Sequence, residues 1–271
     1  TTTTSRTPSK IVRVQGVRTC TTMSGTFSTG CSLSPEPMNG QCPTPSTENR
    51  IRHRSKDFTV TSPTLHPKPN EQGKSILIAR PSQPSDLDSW LDPNAVACVV
   101  PGGPMPASVN AIAIRSCKDT PVTTAQWDAL ASSHRIPEPP FVAPNGYKKA
   151  AGVVIREPDG RIWLAAPSNA FAGYEVTFPK GTMEGQSPQS TALVETFEES
   201  GLQVRLLQHL IDVKRSQSYT RYYLAERVGG NPADMGWESQ AVLLAPPHQL
   251  KELLNNAYDM PILEHILNLG A

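Results

Sequence analysis

The chain has 271 residues and a formal net charge of +1, from 25 basic and 24 acidic side chains. Such a balance provides no bulk attraction for nucleic acid or for an acidic membrane surface, so neither partner is expected. No apolar run approaches the ~18 residues that cross a bilayer, which argues against a membrane-spanning protein. The five cysteines are odd in number, none lies after Cys117 and no pair has CxxC spacing. This usage favours free thiols in a reducing compartment, and we expect a cytoplasmic protein.

Residues 1–72 are rich in Thr, Ser and Pro and have almost no apolar periodicity. Such a segment cannot bury enough apolar surface to offset the entropy lost on ordering, so we predict a disordered tail. Its basic side chains outnumber the acidic ones, as in Ser-rich and Arg-bearing targeting peptides. A targeting or secretion signal and a nucleic-acid-binding arm therefore stay open beside a plain solvated tail.

Residues 73–140 contain short structured segments but little apolar sequence. We predict a small accessory α/β subdomain that packs on the C-terminal half of the chain. Its helix has Val122, Trp127 and Leu130 at helical spacing, with Thr120 or Thr123 as N-cap. The predicted elements are, in chain order, a strand at 74–80, a helical turn at 85–91, strands at 94–100 and 109–117 and a helix within 120–133.

Residues 141–271 begin in a Pro-rich linker and form the third predicted unit, a mixed sheet with helices packed against it. Ser187 followed by Pro188 is typical of a helix start, and Gly201 is typical of the residue after a helix end. The predicted order is β-β-β-α-β-β-α, with strands at 148–157, 161–168, 174–179, 202–215 and 220–229, a helix at about 188–200 and closing helices at 248–257 and 260–270.

Three glutamates gather on the predicted helix, where Glu195, Glu198 and Glu199 stand at positions i, i+3 and i+4. This spacing projects all three side chains from one face. Their mutual repulsion costs stability unless a cation compensates it, and carboxylate oxygens suit Mg²⁺ or Mn²⁺. The alternative is an ordinary solvated acidic face, because Glu is a good helix former.

The stretch from Gly181 to Leu202 resembles the signature of the Nudix hydrolases, G-x5-E-x7-R-E-U-x-E-E-x-G-U, in which U is apolar. The resemblance covers residues 147–267. It implies an α/β/α sandwich, and hydrolysis of a diphosphate bond in a nucleoside diphosphate derivative, ADP-ribose-like or dinucleoside polyphosphate-like. Homodimers are common in this family. The matched positions are Gly181, Glu195, Glu198, Glu199, Gly201 and Leu202.

The resemblance also implies the metal ligands and the catalytic groups. Glu195, Glu198, Glu199 and the backbone carbonyl of Gly181 are the expected ligands of Mg²⁺ or Mn²⁺. Glu198 or Glu199 is expected to orient the attacking water, and the choice between these two stays open.

Substrate contacts are expected from outside this set. Lys180 and Glu184 lie in or beside the loop, where each is either a substrate or metal contact or a solvent-facing residue. Arg221 and Tyr223 alternate onto one face of a strand and are candidates for binding phosphate and stacking a base. The alternative places the tyrosine in the core and the arginine in solvent. Glu238 is a candidate general base on a late loop.

The chain departs from the pattern at three positions, because Gln186 aligns with the loop Glu, Val194 with the Arg and Thr196 with an apolar residue. Without the Arg, the carboxylates lose a group that orients them. A Nudix-fold nucleotide-binding or regulatory module with weak or no hydrolysis is therefore the alternative to an enzyme. A third interpretation makes residues 1–140 a partner-binding region that carries the function.

Overall fold

The computed structural model describes residues 64–268. Most of the predicted tail, residues 1–63, lies outside the described residues, whereas Thr64–Leu65 pairs antiparallel with Leu77–Ile78. The strands are β1 (Thr64–Leu65), β2 (Leu77–Ile78), β3 (Ala97–Val99), β4 (Ser108–Val109), β5 (Ile112–Ala113), β6 (Lys148–Arg156), β7 (Ile162–Pro167), β8 (Lys180–Thr182), β9 (Leu202–Lys214), β10 (Ser218–Gly230) and β11 (Ser239–Ala245). The α-helices are α1 (Thr124–Ser133), α2 (Pro188–Ser200), α3 (Leu250–Leu253) and α4 (Met260–Asn268).

The main sheet has seven strands, six of them in the order β3-β11-β7-β6-β10-β9. Strand β6 pairs parallel with β10 on one side. On its other side it pairs antiparallel with β8 near its start and with β7 at its end. A row of partners crosses the sheet, in which Asp212 faces Arg221, Arg221 faces Ala151 and Ala151 faces Gly181. The row links the loop before α2 to the opposite edge of the sheet.

Helices cover both faces of this sheet, which confirms the predicted α/β/α sandwich. On one face, Trp127 of α1 and Ala192 of α2 pack in a buried cluster with Val153 and Tyr223 of the sheet. On the other face, α3 and α4 pack on Val154, Leu164 and Tyr222, among others. Because both faces are buried, β6 and β7 are almost continuously apolar rather than alternating. None of the helices within residues 64–268 is long and apolar enough to cross a bilayer.

The segment that was expected to be an accessory subdomain contributes to the same sheet and core. Strand β3 pairs with β11 as an edge strand. Trp90 is buried, and its ring centroid lies 5.7 Å from that of Trp163 in β7. The guanidinium of Arg161 donates to the backbone carbonyls of Ser89 and Trp90 at 3.1 and 2.7 Å. Apolar packing and buried hydrogen bonds therefore join residues 87–99 to the sheet.

Two expectations about the main sheet are wrong. The predicted strand at 174–179 is only a single bridge between Thr177 and Ala165, and β8 instead starts after Pro179. Proline lacks the N–H that a ladder position would donate, so pairing resumes beyond it. Strand β11 is missing from the predicted order, and it pairs between β3 and β7.

Two expectations about residues 109–133 are also wrong. The segment 109–117 is not one strand, because Asn110 and Ala111 take positive φ angles of 50° and 62° and turn the chain between β4 and β5. Helix α1 has the expected cap at Thr123. Of the three predicted apolar positions only Trp127 is buried, whereas Val122 is exposed and Leu130 borders solvent.

Candidate active site

Helix α2 carries the glutamates and has the predicted ends. The Ser187 side chain accepts a hydrogen bond from the N–H of Ser190 at 3.1 Å, and Pro188 occupies the first helical position. Gly201 ends the helix at φ = 67°, and its N–H donates to the carbonyl of Phe197. An added Cβ at Gly201 would overlap the carbonyl of Asn231, so glycine is required there for both conformation and space.

Three carboxylates from two chain segments meet beside this helix. Glu195 and Glu199 come from α2, and Glu238 precedes β11; oxygens of all three lie within 4.8 Å of one another. Glu199 is buried, Glu195 is half-buried and Glu238 reaches solvent. Carboxylates held this close repel one another unless a cation or a proton compensates.

The strand before the loop holds two of these carboxylates in place. The Glu195 carboxylate lies over Gly181, where an added Cβ would overlap it. A Glu199 oxygen accepts a hydrogen bond from the backbone N–H of Lys180 at 2.8 Å. Gly181 and Lys180 belong to β8, which pairs with β6, so the main sheet positions these two carboxylates.

The electrostatic surroundings oppose ionisation of the cluster. Burial raises the pKa of Glu195 to about 9, and the charges of Glu199 and Glu198 add to the rise. Burial raises the pKa of Glu199 to about 7, while the charge and N–H of Lys180 act in the opposite direction. Partial desolvation also raises the pKa of Glu238. A divalent cation among these groups would reverse this balance.

Glu198 lies at the rim of the cluster. Its side chain is exposed, and it does not belong to the group whose oxygens lie within 4.8 Å. Desolvation, followed by the charges of Glu238 and Glu71, raises its pKa. Its backbone carbonyl accepts from the N–H of Gly236 at 2.6 Å, which ties α2 to the loop that leads to Glu238. The sequence grouped Glu195, Glu198 and Glu199, whereas the geometry groups Glu195, Glu199 and Glu238.

The two loop candidates have different surroundings. Lys180 is half-buried, and its ammonium lies 5.1 Å from the ring centroid of Tyr174. Glu184 is exposed, and its charge contributes to the raised pKa of Glu198. Both residues therefore border the cluster, and their roles in substrate binding stay predictions.

Arg221 and Tyr223 lie on one strand face, as predicted, because both side chains reach Glu138. The Arg221 guanidinium is 1% exposed, and it pairs with Asp212 at 2.8 Å and with Glu138 at 3.1 Å. It also donates to the carbonyl of Pro139. The Tyr223 hydroxyl donates to Glu138. The arginine is thus buried and paired, contrary to the alternative that placed it in solvent. Substrate binding by the two residues stays a prediction.

Two departures from the motif, Val194 and Thr196, are accommodated by apolar packing or by a hydrogen bond within the helix. Val194 is half-buried and packs against the apolar core. Thr196 is fully buried, and its hydroxyl donates to the carbonyl of Ala192 at 2.6 Å. This bond satisfies the hydroxyl within the helix, so a polar residue is accommodated at an apolar position.

Sequence reasoning placed Glu238 on a loop but did not group it with Glu195 and Glu199. It lies 39 positions after Glu199, and no local spacing connects them. The missed signal is the buried strand β11 that comes directly after it. Strand β11, "SQAVLLA", runs antiparallel to β7, and Ser239 at its start pairs with Pro167 at the end of β7. The residue before β11 therefore lies at the same end of the sheet as the loop after β7.

Comparison with known proteins identifies the domain. Residues 146–266 match the model of the NUDIX domain. No curated protein sequence matches the chain. The chain is similar in structure to an ADP-ribose pyrophosphatase from Streptococcus suis, with 18% identity, 44% of this chain and 87% of that one covered, and a TM-score of 0.37.

Two other solved structures show similar values. An Ap4A hydrolase from C. elegans is 20% identical over 45% of this chain and 96% of its own, with a TM-score of 0.38. A MutT protein from Methanosarcina mazei Go1 is 13% identical over 48% of this chain and 99% of its own, with a TM-score of 0.40. The motif, the sandwich and the domain match agree, and residues 146–266 of the chain form a NUDIX domain.

Proposed function

We propose that this protein hydrolyses a diphosphate bond in a nucleoside diphosphate derivative and depends on a divalent metal ion. The observation that carries the proposal is the cluster of Glu195, Glu199 and Glu238 beside Gly181 in a NUDIX domain. Carboxylates arranged in this way bind a hard cation, and hydrolysis of phosphoanhydrides requires positioning and charge neutralisation more than covalent chemistry.

The donor set fits Mg²⁺ or Mn²⁺. All three side chains offer oxygen, and no histidine or cysteine contributes to the cluster among residues 64–268. Glu195, Glu199 and Glu238 would hold the ion, together with the Gly181 carbonyl that the family resemblance implies. When bound, the metal ion neutralises phosphate charge and lowers the pKa of coordinated water.

The protein groups then have distinct tasks. The N–H of Lys180 holds one oxygen of Glu199, which fixes the orientation of that carboxylate. Gly181 leaves the space that the Glu195 carboxylate occupies. Glu198 is exposed at the rim, and its raised pKa suits a group that accepts a proton from the attacking water. The Lys180 ammonium is available to bind a phosphate oxygen.

The proposal is tested by measuring product release from ADP-ribose, diadenosine polyphosphates, NADH, nucleoside triphosphates and inositol pyrophosphates with Mg²⁺ or Mn²⁺. We expect turnover of at least one substrate that contains a nucleoside diphosphate. Glu198→Gln is expected to reduce that turnover by about 10²–10⁴-fold without changing the melting temperature. Glu252→Gln changes an exposed carboxylate on α3 and serves as the matched control. Full turnover in Glu198→Gln would contradict the assigned role.

A calorimetric titration with Mn²⁺ distinguishes the ligands expected from the motif, Glu195, Glu198 and Glu199, from the carboxylates that lie together in the structure, Glu195, Glu199 and Glu238. Glu195→Gln and Glu238→Gln are each expected to weaken Mn²⁺ binding at least about tenfold. Glu198→Gln is expected to weaken it less, because its carboxylate lies outside the cluster. The reverse order for Glu198 and Glu238 would favour the ligands of the motif.

A second candidate function is nucleotide binding without efficient hydrolysis. It is favoured by Val194, which packs in the core where the family pattern has a carboxylate-orienting Arg. Binding of nucleotides in calorimetry, combined with no product release across the panel, would support this candidate over the enzyme.

A further inference from the structure

Glu238 is the one carboxylate of the cluster that does not belong to a helix, since it lies on the loop between β10 and β11. Helix α2 fixes Glu195 and Glu199 relative to each other. Repulsion from these two carboxylates pushes Glu238 away when no cation is bound. The contacts that hold this loop therefore determine whether the three side chains stay close enough to share an ion.

Two contacts inside the NUDIX domain attach the backbone of this loop. The N–H of Gly236 donates to the carbonyl of Glu198 at 2.6 Å, which connects the loop to α2. The N–H and the hydroxyl of Ser168 donate to the carbonyls of Glu238 and Trp237 at 2.7 and 2.8 Å. Because Ser168 comes directly after β7, the position of Glu238 depends on the loop after β7.

A segment outside the NUDIX domain, residues 64–82, packs beside these attachments, and we call it the hairpin segment. It begins with the hairpin of β1, β2 and their connection. Its residues His66 and Ile78 are 4% and 6% exposed, so the segment is packed against the rest of the chain. The Lys68 ammonium donates to the carbonyl of Asp234, which lies in the connection between β10 and β11. The hairpin segment therefore contacts this connection directly.

Two side-chain amides, those of Asn169 and Gln240, join the hairpin segment to the loop after β7 and to β11. We call this pair the amide clasp. Asn169 accepts from the N–H of Ala79 at 2.7 Å and donates to the carbonyl of Leu77 at 2.8 Å. Gln240 accepts from the N–H of Asn169 at 2.8 Å and donates to the carbonyl of Arg80 at 2.9 Å. The clasp thus connects three separate segments of the chain.

The loop after β7 needs such bonds to keep its conformation. Asn169 has a φ of 57°, and Ala170 and Ala172 also have positive φ angles, of 51° and 54°. Alanine adopts this left-handed conformation at a free-energy cost, whereas asparagine adopts it more readily. Such residues persist where the surrounding structure over-determines them, and the clasp supplies bonds at the first of the three. Without the clasp, we expect the loop to relax and to release the backbone of Glu238.

We propose that the hairpin segment is a positioning element for Glu238 and raises the affinity of the carboxylate cluster for the divalent cation. The inference rests on the proposed function and concerns the same site. A cation binds more tightly to ligands that already lie close together, because no further free energy is needed to gather them. Groups that orient metal ligands without touching the metal typically change metal affinity by about 10–100-fold. Asn169, Gln240 and Lys68 are the positioning residues.

The test is a calorimetric titration of the full chain with Mn²⁺. Asn169→Gly removes the side chain and permits the positive φ, and Gln240→Met removes the other amide. Each variant is expected to bind Mn²⁺ about tenfold more weakly than the wild type. Asn255→Gly is the matched control, because Asn255 bonds to the same loop at Gly173 and Glu175 instead of to the hairpin segment. It should leave the affinity unchanged, and a tenfold loss in this control would contradict the role of the hairpin segment.

A double-mutant cycle separates positioning of Glu238 from a general loss of structure. In the Glu238→Gln background, Asn169→Gly should change the Mn²⁺ affinity by less than about twofold, because the carboxylate that it positions is gone. An equal loss in both backgrounds would show that the clasp does not act through Glu238. Melting curves verify that each variant is folded, and Gln240→Met decides the question if Asn169→Gly does not fold.

Failure of this inference differs from failure of the proposed function. If the wild type binds Mn²⁺ and both clasp variants bind it equally well, the positioning role is refuted while the site assignment stands. If the wild type binds no Mn²⁺, the proposed function fails, and the positioning role fails with it.

Discussion

Replacement of Trp90 by alanine is expected to destabilise the NUDIX domain, although Trp90 precedes that domain by more than 50 residues. The side chain is 1% exposed and packs on Trp163, which is fully buried in β7. Removing a buried aromatic side chain costs the transfer free energy of its atoms plus the cost of the cavity. Such substitutions lower the free energy of unfolding by about 3–5 kcal/mol.

Removal of the whole segment before residue 141 has a larger expected effect, because three buried arginines then lose acceptors. Arg161 donates to Ser89 and Trp90, Arg221 to residues 138–140, and Arg227 to Val109. Hydrogen bonds to charged groups contribute about 1.5–3 kcal/mol each. Their combined loss with that of Trp90 is comparable to the total stability of a domain, about 5–15 kcal/mol. We therefore expect a chain that begins at residue 141 not to fold.

Both expectations are checked by urea denaturation followed by far-UV circular dichroism. Leu91→Ala is the matched control, since Leu91 neighbours Trp90 but is 67% exposed, and we expect a change within about 0.5 kcal/mol. The reasoning would be refuted if the chain from residue 141 unfolded cooperatively with a stability near that of the full chain. That result would favour the interpretation in which residues 1–140 are a separable partner-binding region.

Two further predictions concern the proposed metal site. Burial and the neighbouring carboxylates raise the pKa of Glu195 to about 9 from an ordinary 4.5. Between these values the folded metal-free protein holds a proton that the unfolded chain has released. The melting temperature relative to Glu195→Gln should therefore fall as pH rises toward 9, and saturating Mg²⁺ should abolish the fall; a constant difference would contradict the shift. Gly181→Ala should weaken Mn²⁺ binding in calorimetry at least about tenfold, because the new Cβ overlaps the Glu195 carboxylate. Gly229→Ala, whose Cβ would meet only a flexible side-chain end, should leave the affinity unchanged.

Local signals allowed the central helix and half of the site to be predicted. Ser187, Pro188 and Gly201 determine the ends of α2 through interactions within a few residues. The approach of Glu195 to Glu199 follows from helical geometry alone. Glu238 could not be assigned to the site in this way, because only the pairing of β11 with β7 brings it to α2.

The wrong expectations for β11 and for Arg221 have the same physical cause, which is that the sheet is buried on both faces. A strand such as β11, buried on both sides, lacks the alternation that identifies half-exposed strands. Arg221 was expected either to bind a substrate phosphate or to lie in solvent, where charged side chains are usually found. It is buried because the segment before the domain supplies carbonyls and a carboxylate that satisfy it. Neither feature can be inferred without knowing which segments pack together.

The position of the site in the sheet explains why residues that repel one another can be kept together. The Glu195 carboxylate lies over Gly181. Gly181 of β8 pairs with Ala151 of β6, and Ala151 pairs in turn with Arg221 of β10. Repulsion between uncompensated carboxylates would displace a flexible loop, but here it acts on a sheet that is packed on both faces. Arg221 couples this sheet to Glu138 and Asp212. Residues before the domain thus supply stability that offsets the electrostatic cost of gathering the carboxylates. Weakening them, as in Trp90→Ala, should make folding depend more strongly on Mg²⁺.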